Sequence, residues 1–368
     1  MKTMDMTINA LPAFTYNWLH MNEAHLSGVN ADAEIPARTE VPQEILEETK
    51  AYGDAPANTA KTGAGADLDR LAERAGVPVH IYTAKKGRKV TGDAVRIYLD
   101  YADQGFEYDP KAGISGEGTG KINAYNLVLE EDSEMTVVMD YRSAGDAKVL
   151  AAVQTKIAAK KNAVLHLVQI QRLGSNVTFL NDIGGNCDES ARIEVIRVIL
   201  SGKNTYDGCR VALSGDRSTL GVDIGYAVSG DGRLDMNYDS YQTGKKTACN
   251  ISAAGVLRDR AFKLFRGTID FQAGCSGSTG DEMEDVLLMD EDVVNQTIPL
   301  ILCAEEDVVG NHGATIGRLD ESLMFYMESR GMNRSEIYEM MAKARLDAVI
   351  RKIPDEKTRA ALSESGEE

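Results

Sequence analysis

The stretch Leu220–Asp239, LGVDIGYAVSGDGRLDMNYD, decides the architecture of the chain. Leu220, Val222, Ile224, Tyr226 and Val228 alternate with Gly, Asp and Ala. Leu234, Met236 and Tyr238 alternate with Arg233, Asp235, Asn237 and Asp239. Successive side chains of a strand point to opposite faces, so each run reads as one strand with one buried face. Gly215, Gly230, Gly244, Gly255 and Gly267 punctuate the region at intervals suited to serial strands and turns. The same character extends from Val77 to about Ile316, and most strands have no helical pattern between them, which disfavours a βαβ sheet. A sandwich, a barrel and a β-helix all fit, and without a strict repeat periodicity does not choose among them.

The flanks read differently. Thr15–Met21 (TYNWLHM) is a short amphipathic piece carrying the only tryptophan, Trp18. Pro42–Tyr52 (PQEILEETKAY) starts with proline and a glutamate-rich turn, which predicts a helix. Gly53–Gly65 reads as a linker, and Asp67–Ala75 as a helix stopped by Gly76. Ala144–Lys161 consists of good helix formers, followed by the strand-like Asn162–Leu173. Beyond Leu319 the chain is helical again. Asp320 caps a helix to Arg330, stopped by Gly331, with Leu323, Tyr326 and Met327 on one face. Asn333 and Glu336 form a capping box for a second helix, with Ile337, Met341, Ala344 and Ala348 on its apolar side. Asp355–Ser363 predicts a last short helix, and Ser365–Glu368 frays. The chain thus divides into residues 1–76, 77–318 and 319–368.

Composition excludes several function classes. The 368 residues hold 40 Lys and Arg against 57 Asp and Glu, a net charge of −17. Such a chain lacks the clustered cations that displace counterions from nucleic acid or hold an anionic membrane. No apolar run is long enough to span a bilayer, and the first residues lack a secretory apolar core, so a cytoplasmic location is expected. The cysteines Cys187, Cys209, Cys249, Cys275 and Cys303 are scattered without a CxxC pair, which fits a reducing compartment.

Motifs for chemistry are few. Ser115–Lys121 (SGEGTGK) fails as a phosphate loop, because Ser115 replaces the first glycine and Ile122 the magnesium-binding hydroxyl. No Gly-x-Ser-x-Gly elbow is present. Asp281–Asp307 holds ten acids and neither Lys nor Arg. That segment is either a solvated set of turns or a surface that concentrates a cation such as iron. Gly310–Gly317 (GNHGATIG) sets His312 among glycines, where a neutral imidazole could ligate a metal, although a lone histidine is more often structural.

The run from Gly310 to Arg330, GNHGATIGRLDESLMFYMESR, followed by Gly331, resembles the C-terminal signature of the SufB/SufD proteins of iron–sulfur cluster assembly. The matching elements are His312-Gly313-Ala314-Thr315, Gly317, Leu319-Asp320, Phe325-Tyr326 and Ser329-Arg330-Gly331. Leu11-Pro12 with Tyr16-Asn17-Trp18 and Asn22-Glu23 looks like the SufD opening. Asn162-Ala163, Ile170-Gln171, Phe265-Arg266-Gly267 and Leu287-Leu288 look like core stretches of the family. The His-Gly-Ala-Thr form favours the SufD branch.

The resemblance implies a mainly β fold, a right-handed parallel β-helix core with helical N-terminal and C-terminal segments, and makes Thr155–Lys160 strand rather than helix. It implies pairing with SufB, or with itself as a homodimer, and docking of the ATPase SufC on Leu319–Ile350. The candidate contacts there are Leu323, Phe325, Tyr326, Met327 and Arg330. His312 matches the family's interface histidine, a candidate ligand of iron or of a nascent cluster. Gly310 stands where many SufD proteins carry cysteine, and Met289–Ile298 lacks the scaffold cysteine of SufB, so Cys303 is the nearest thiol candidate. The expectation is a subunit that is not itself an enzyme. It would bind no cofactor tightly and would carry iron or a cluster transiently. The alternatives are a SufB-like homodimeric scaffold and, more distantly, a carbohydrate-active β-helix enzyme.

Overall fold

The computed structural model describes residues 3–15, 17–115 and 118–364. From Pro78 onward the chain alternates between two parallel sheets, interrupted by the small antiparallel pair Glu107–Asp109 and Gly113–Ser115, and winds a parallel β-solenoid of about seven turns. The first sheet runs from Pro78–Ala84 through Gly120–Leu129, Val149–Ala159, Val177–Cys187, Asn204–Leu213, Arg233–Gln242 and Phe262–Phe271 to Val294–Cys303. The second runs from Val95–Tyr101 through Glu134–Ser143, Val164–Arg172, Arg192–Ser201, Thr219–Val228, Ala248–Leu257 and Ser278–Leu288 to Val308–Gly317.

Parallel register stacks like positions into columns. Leu129, Ala159, Cys187, Leu213, Gln242, Phe271 and Cys303 are successive partners in the first sheet. Val137, Leu167, Val195, Val222, Ile251, Glu282 and His312 are successive partners in the second. Leu129, Ala159, Cys187 and Leu213 of the first column and Val137 through Ile251 of the second share one buried core, and Leu220, Val222, Ile224, Tyr226 and Val228 are buried in it as their alternation predicts. One corner of the coil is a second kind of column. Asp132, Asn162, Ser190, Arg217 and Lys246 all adopt left-handed backbone with φ between 55° and 60°. This conformation is costly for residues with a Cβ. Each of the five donates its amide to a carbonyl one coil on, at 2.8–3.0 Å, which offsets the strain.

Polar outward faces are expected to meet water, but much of the first sheet's outer face is buried too. Asp235, Asn237 and Asp239 are covered along with Leu234, Met236 and Tyr238. The cover is the N-terminal segment, tied down by buried polar groups. Asn9 Nδ2 donates to Asp235 Oδ1 at 2.9 Å, and Arg266 bridges Asp235 Oδ1 (2.6 Å) and the Met21 carbonyl (2.6 Å). The Gly63 amide donates to the Ile183 carbonyl, and the Ala64 amide to Asp182 Oδ1. So Gly53–Gly65 is no free linker but a strap. A Cβ on Gly63 would lie 2.0 Å from the Cys209 amide nitrogen, so glycine is needed for that approach.

Other expectations are corrected here. Pro42–Tyr52 is not helical, since Ile45–Ala51 pairs antiparallel with Pro78–Ala84 at the edge of the first sheet. Pairing with a ready-made edge overrides its helix signals. Ala144–Lys161 contains the strand Val149–Ala159, buried between two neighbours, as the family resemblance implies against local composition. Gly255 and Gly267 are not turns but lie inside strands, Gly255 beneath the Tyr226 ring. In Thr15–Met21 the regular element is a 3-10 turn at Asn17–Leu19, and Trp18 is exposed. Tyr16 and Ser365–Glu368 lie outside the described residues, as do two positions of Ser115–Lys121.

Helix α1 (Ala66–Ala75) buries Leu68 and Leu71 and ends on left-handed Gly76, as expected. Helices α2 (Glu321–Ser329), α3 (Arg334–Ile350) and α4 (Glu356–Glu364) carry the expected Asp320 cap and Asn333–Glu336 capping box. They cross the outer face of the second sheet. The buried side of α3 is Ile337, Ala342, Val349 and Ile350, while Ala344 and Ala348 are exposed. Val349 packs where Gly225 has no side chain. At the far end Asp355 accepts from Arg96 Nη2 at 2.6 Å, back at the first coils.

Two predictions follow from the strap. Gly63→Ala should expose residues 53–65 to limited proteolysis while the far-UV circular dichroism of the solenoid is kept; an unchanged cleavage pattern would contradict the packing. Burial pushes the Asp182 carboxyl up from 3.8 to about 7. The folded chain then holds a proton there that the unfolded chain has lost. Its contribution to stability is full below about pH 4 and falls as pH rises through 7, by up to about 1.4 kcal/mol per pH unit. Asp182→Asn should flatten the decline of urea stability between about pH 4 and 7.

Candidate functional site at the open end of the solenoid

The last coil, Val294–Cys303 and Val308–Gly317, has no coil stacked beyond it among the described residues. Its strands are sheet edges, and positions that face inward elsewhere come to the surface here. His312 ends the column Val137, Leu167, Val195, Val222, Ile251, Glu282 and is exposed. The segment GNHGATIG is therefore a strand, not a loop, and its glycines have steric reasons. A Cβ on Gly310 would lie 3.1 Å from both Ile301 and Phe271, which marks that position as inward. Cys303 ends the column of Phe271 in the opposite sheet. It is exposed, unlike the other four cysteines, and its thiol lies 3.0 Å from the Glu305 carbonyl. The structure thus sets His312 and Cys303 on opposite sheets of one open coil.

Beneath this end the interior turns polar. Lys263 and Glu284 are wholly buried and form an ion pair. Thr297 Oγ1 donates to Glu284 Oε2 at 2.6 Å, and the Tyr226 hydroxyl reaches Glu284 Oε1 at 3.5 Å. Desolvation pulls the Lys263 ammonium down, with Glu284 opposing. Glu282 is buried with 3% of its surface exposed, and its Oε2 has no hydrogen-bond partner. Burial first and the Glu284 charge second push its carboxyl up to about 7. Among the described residues no three His, Cys, Asp or Glu side chains gather as a metal-binding group.

The helical candidates separate into two roles. Met324, not Leu323, Tyr326 or Met327, is the buried side chain of α2, packed with Val256, Leu287, Leu319, Ile337 and Ala342. Met327 is half-buried against that cluster. Leu323, Phe325 and Tyr326 face solvent, Phe325 at 73% exposure, and the Arg330 guanidinium lies 5.1 Å from the Tyr326 ring centre.

Sequence reasoning missed Glu282, Glu284 and Lys263. The ten acids of Asp281–Asp307 divide: Asp290, Glu291, Asp292, Glu305, Glu306 and Asp307 lie in turns, Asp281 and Asp285 lie on a strand but are not buried, and Glu282 and Glu284 occupy inward positions of that strand. The available signal was the alternation Gly280, Glu282, Glu284, Val286, which continues the inward register of Ile251 and its neighbours.

The sequence has relatives among known proteins. Residues 113–345 match the family model described as the SUF system FeS cluster assembly, SufBD core domain. The chain is 26% identical over 248 residues to the iron–sulfur cluster assembly protein SufD of Bacillus subtilis, covering 66% of this chain and 56% of that protein. It is 23% identical over 247 residues to SufB of the same organism, covering 66% and 52%. It is 24% identical over 236 residues to SufD of Escherichia coli, covering 63% and 55%. The matches thus span about half the length of these relatives.

The buried charges give a stability test. Lys263→Met leaves Glu284 and Glu282 without a cation and should cost about 3–5 kcal/mol. Adding Glu284→Gln should recover much of that loss. Urea denaturation at pH 7.5 measures both, and a neutral Lys263→Met would contradict the buried pair.

Proposed function

Because the chain belongs to the SufBD core family of the SUF iron–sulfur cluster assembly system, we propose that it is a SufD-like subunit, not itself an enzyme, that works in the cytosol with SufB and the ATPase SufC. The observation that carries this reading is His312 at the end of an inward column on an uncapped edge. Edge strands present unpaired backbone donors and acceptors, so a second solenoid can continue the sheets and enclose the last coil's side chains. Imidazole suits iron, and iron or a nascent cluster is the cargo, not a resident group. The slightly higher identity to SufD than to SufB of one organism favours the SufD role.

SufC docks through the solvent face of α2, Leu323, Phe325, Tyr326 and Arg330. SufC hydrolyses ATP, and the helical region passes its motion to the paired edge, shifting it between closed and open states. Met327 serves the packing of α2 rather than the contact. A second reading, a SufB-like homodimer with SufC, is favoured by one observation: Cys303 is an exposed thiol on the same open coil.

Anaerobic reconstitution of the chain, alone and with SufB and SufC, separates the two by visible absorbance and iron content. A cluster that forms only with SufB supports the SufD role. A stoichiometric cluster on this chain alone replaces it with the homodimeric scaffold. His312→Ala should lower cluster yield severalfold with assembly intact; an unchanged yield removes the histidine. Deleting 319–368 would strip an apolar sheet face, so the cleaner docking test is Phe325→Ala with Tyr326→Ala. Pull-down of SufC should fall at least about tenfold if these rings are interface anchors, and undiminished capture sinks the docking claim.

A further inference from the structure

We propose that Glu282 is a second ligand beside His312, so that the open end carries a histidine–carboxylate half-site for a divalent cation. Five successive inward positions below these two are Val137, Leu167, Val195, Val222 and Ile251, all buried and apolar. The column then changes to a carboxylate and an imidazole over its last two coils. In-register neighbours on parallel strands lie about 4.8 Å apart with side chains on the same face, a spacing from which two donors can meet one ion. His312 is exposed, so the ion reaches the pair from the open end.

Glu282 shares the field of Lys263 but lacks the hydrogen bonds that hold its neighbour. Its Oε2 is buried without a hydrogen-bond partner, whereas Glu284 is held by Lys263, Thr297 and Tyr226. An unpaired buried carboxylate is costly and is rarely kept without a use. Space is also made for it. A Cβ on Gly267 would lie 2.4 Å from the Glu282 carboxyl carbon, so the glycine across the coil opens room for that group. One imidazole and one carboxylate suit iron(II), manganese(II) and zinc(II). Two ligands leave positions open for water or for donors of a partner chain, as an interface site requires. This inference rests on the proposed role of His312.

The test titrates the full-length, metal-free chain with cobalt(II), read by its visible absorption and by calorimetry. Glu282→Gln and His312→Ala should each weaken cobalt binding at least about tenfold. The double variant should lose little more than either single one, because both would empty the same site. Cobalt should raise the melting temperature of the parent chain and not that of Glu282→Gln. Cobalt affinity unchanged in Glu282→Gln overturns the proposal. If that variant does not fold, Glu282→Asp keeps the charge but shortens the reach. It should show the same loss of affinity, and unchanged affinity overturns the proposal equally. Cluster yield with SufB and SufC tells the two readings apart. If only His312→Ala lowers it and Glu282→Gln binds cobalt normally, the histidine stands and Glu282 falls. If both lose cobalt yet both keep full cluster yield, the half-site stands and the assembly role of His312 falls.

Discussion

Ladder hydrogen bonds between parallel coils put each inward side chain directly on the one before it, and the molecule is arranged around that constraint. A bulky residue needs a small one in reach: Tyr226 leans over Gly255, and Ile193 and Val211 close around Gly185. A charge needs its partner inside. Arg197 and Asp207, both fully buried, are held with Gln171, Asn181 and Tyr238. A stack of this kind hides everything except its last member. At the final coil the same geometry that buries Ile251 brings His312 to the surface, so exposure there follows from topology and needs no special loop.

The two sheets cover their outer faces with different segments. The first is covered by the N-terminal segment, held by apolar contact of Ile8, Leu26, Leu68 and Leu71 with Ile122, Leu150 and Leu180 and by polar groups, among them Asn9, Arg266, Asp235 and Asp182. Buried charge pairs of this kind add little net stability but penalise wrong registers, since a slip of one residue would leave ions unpaired. The second is covered by helices through apolar contact, with Val349, Ile350, Ile353 and Leu362 against Val138, Ile170, Ile196 and Val198. Apolar packing is less directional, so these contacts can shift on the sheet without leaving a buried charge unpaired.

The sequence made strands legible where one face is apolar, as in Leu220–Val228, and made caps legible because capping depends on few neighbouring residues, as at Asp320 and Asn333. It did not show that Asp235 and Asn237 are buried, since their cover comes from residues about 170 or more positions away. Nor did it show the left-handed corner. Asn and Asp tolerate that conformation, but Arg217 and Lys246 hold it only because a ladder of amides fixes them. His312 was legible through the likeness of its motif. Glu282 was not, because an acid among ten acids looks solvated until the register sets it inside.

The link between Asp355 and Arg96 has a consequence for how the molecule comes apart. Stacked coils alone behave as a one-dimensional array, in which end units fray independently. A chain that returns from the last coils to the first joins residues 259 positions apart and turns the array into a ring of contacts. Fraying at either end then strains the returning helices, so the whole unit should open as one. Coils can stack as they emerge during synthesis, but the ring closes only after the helices have been made.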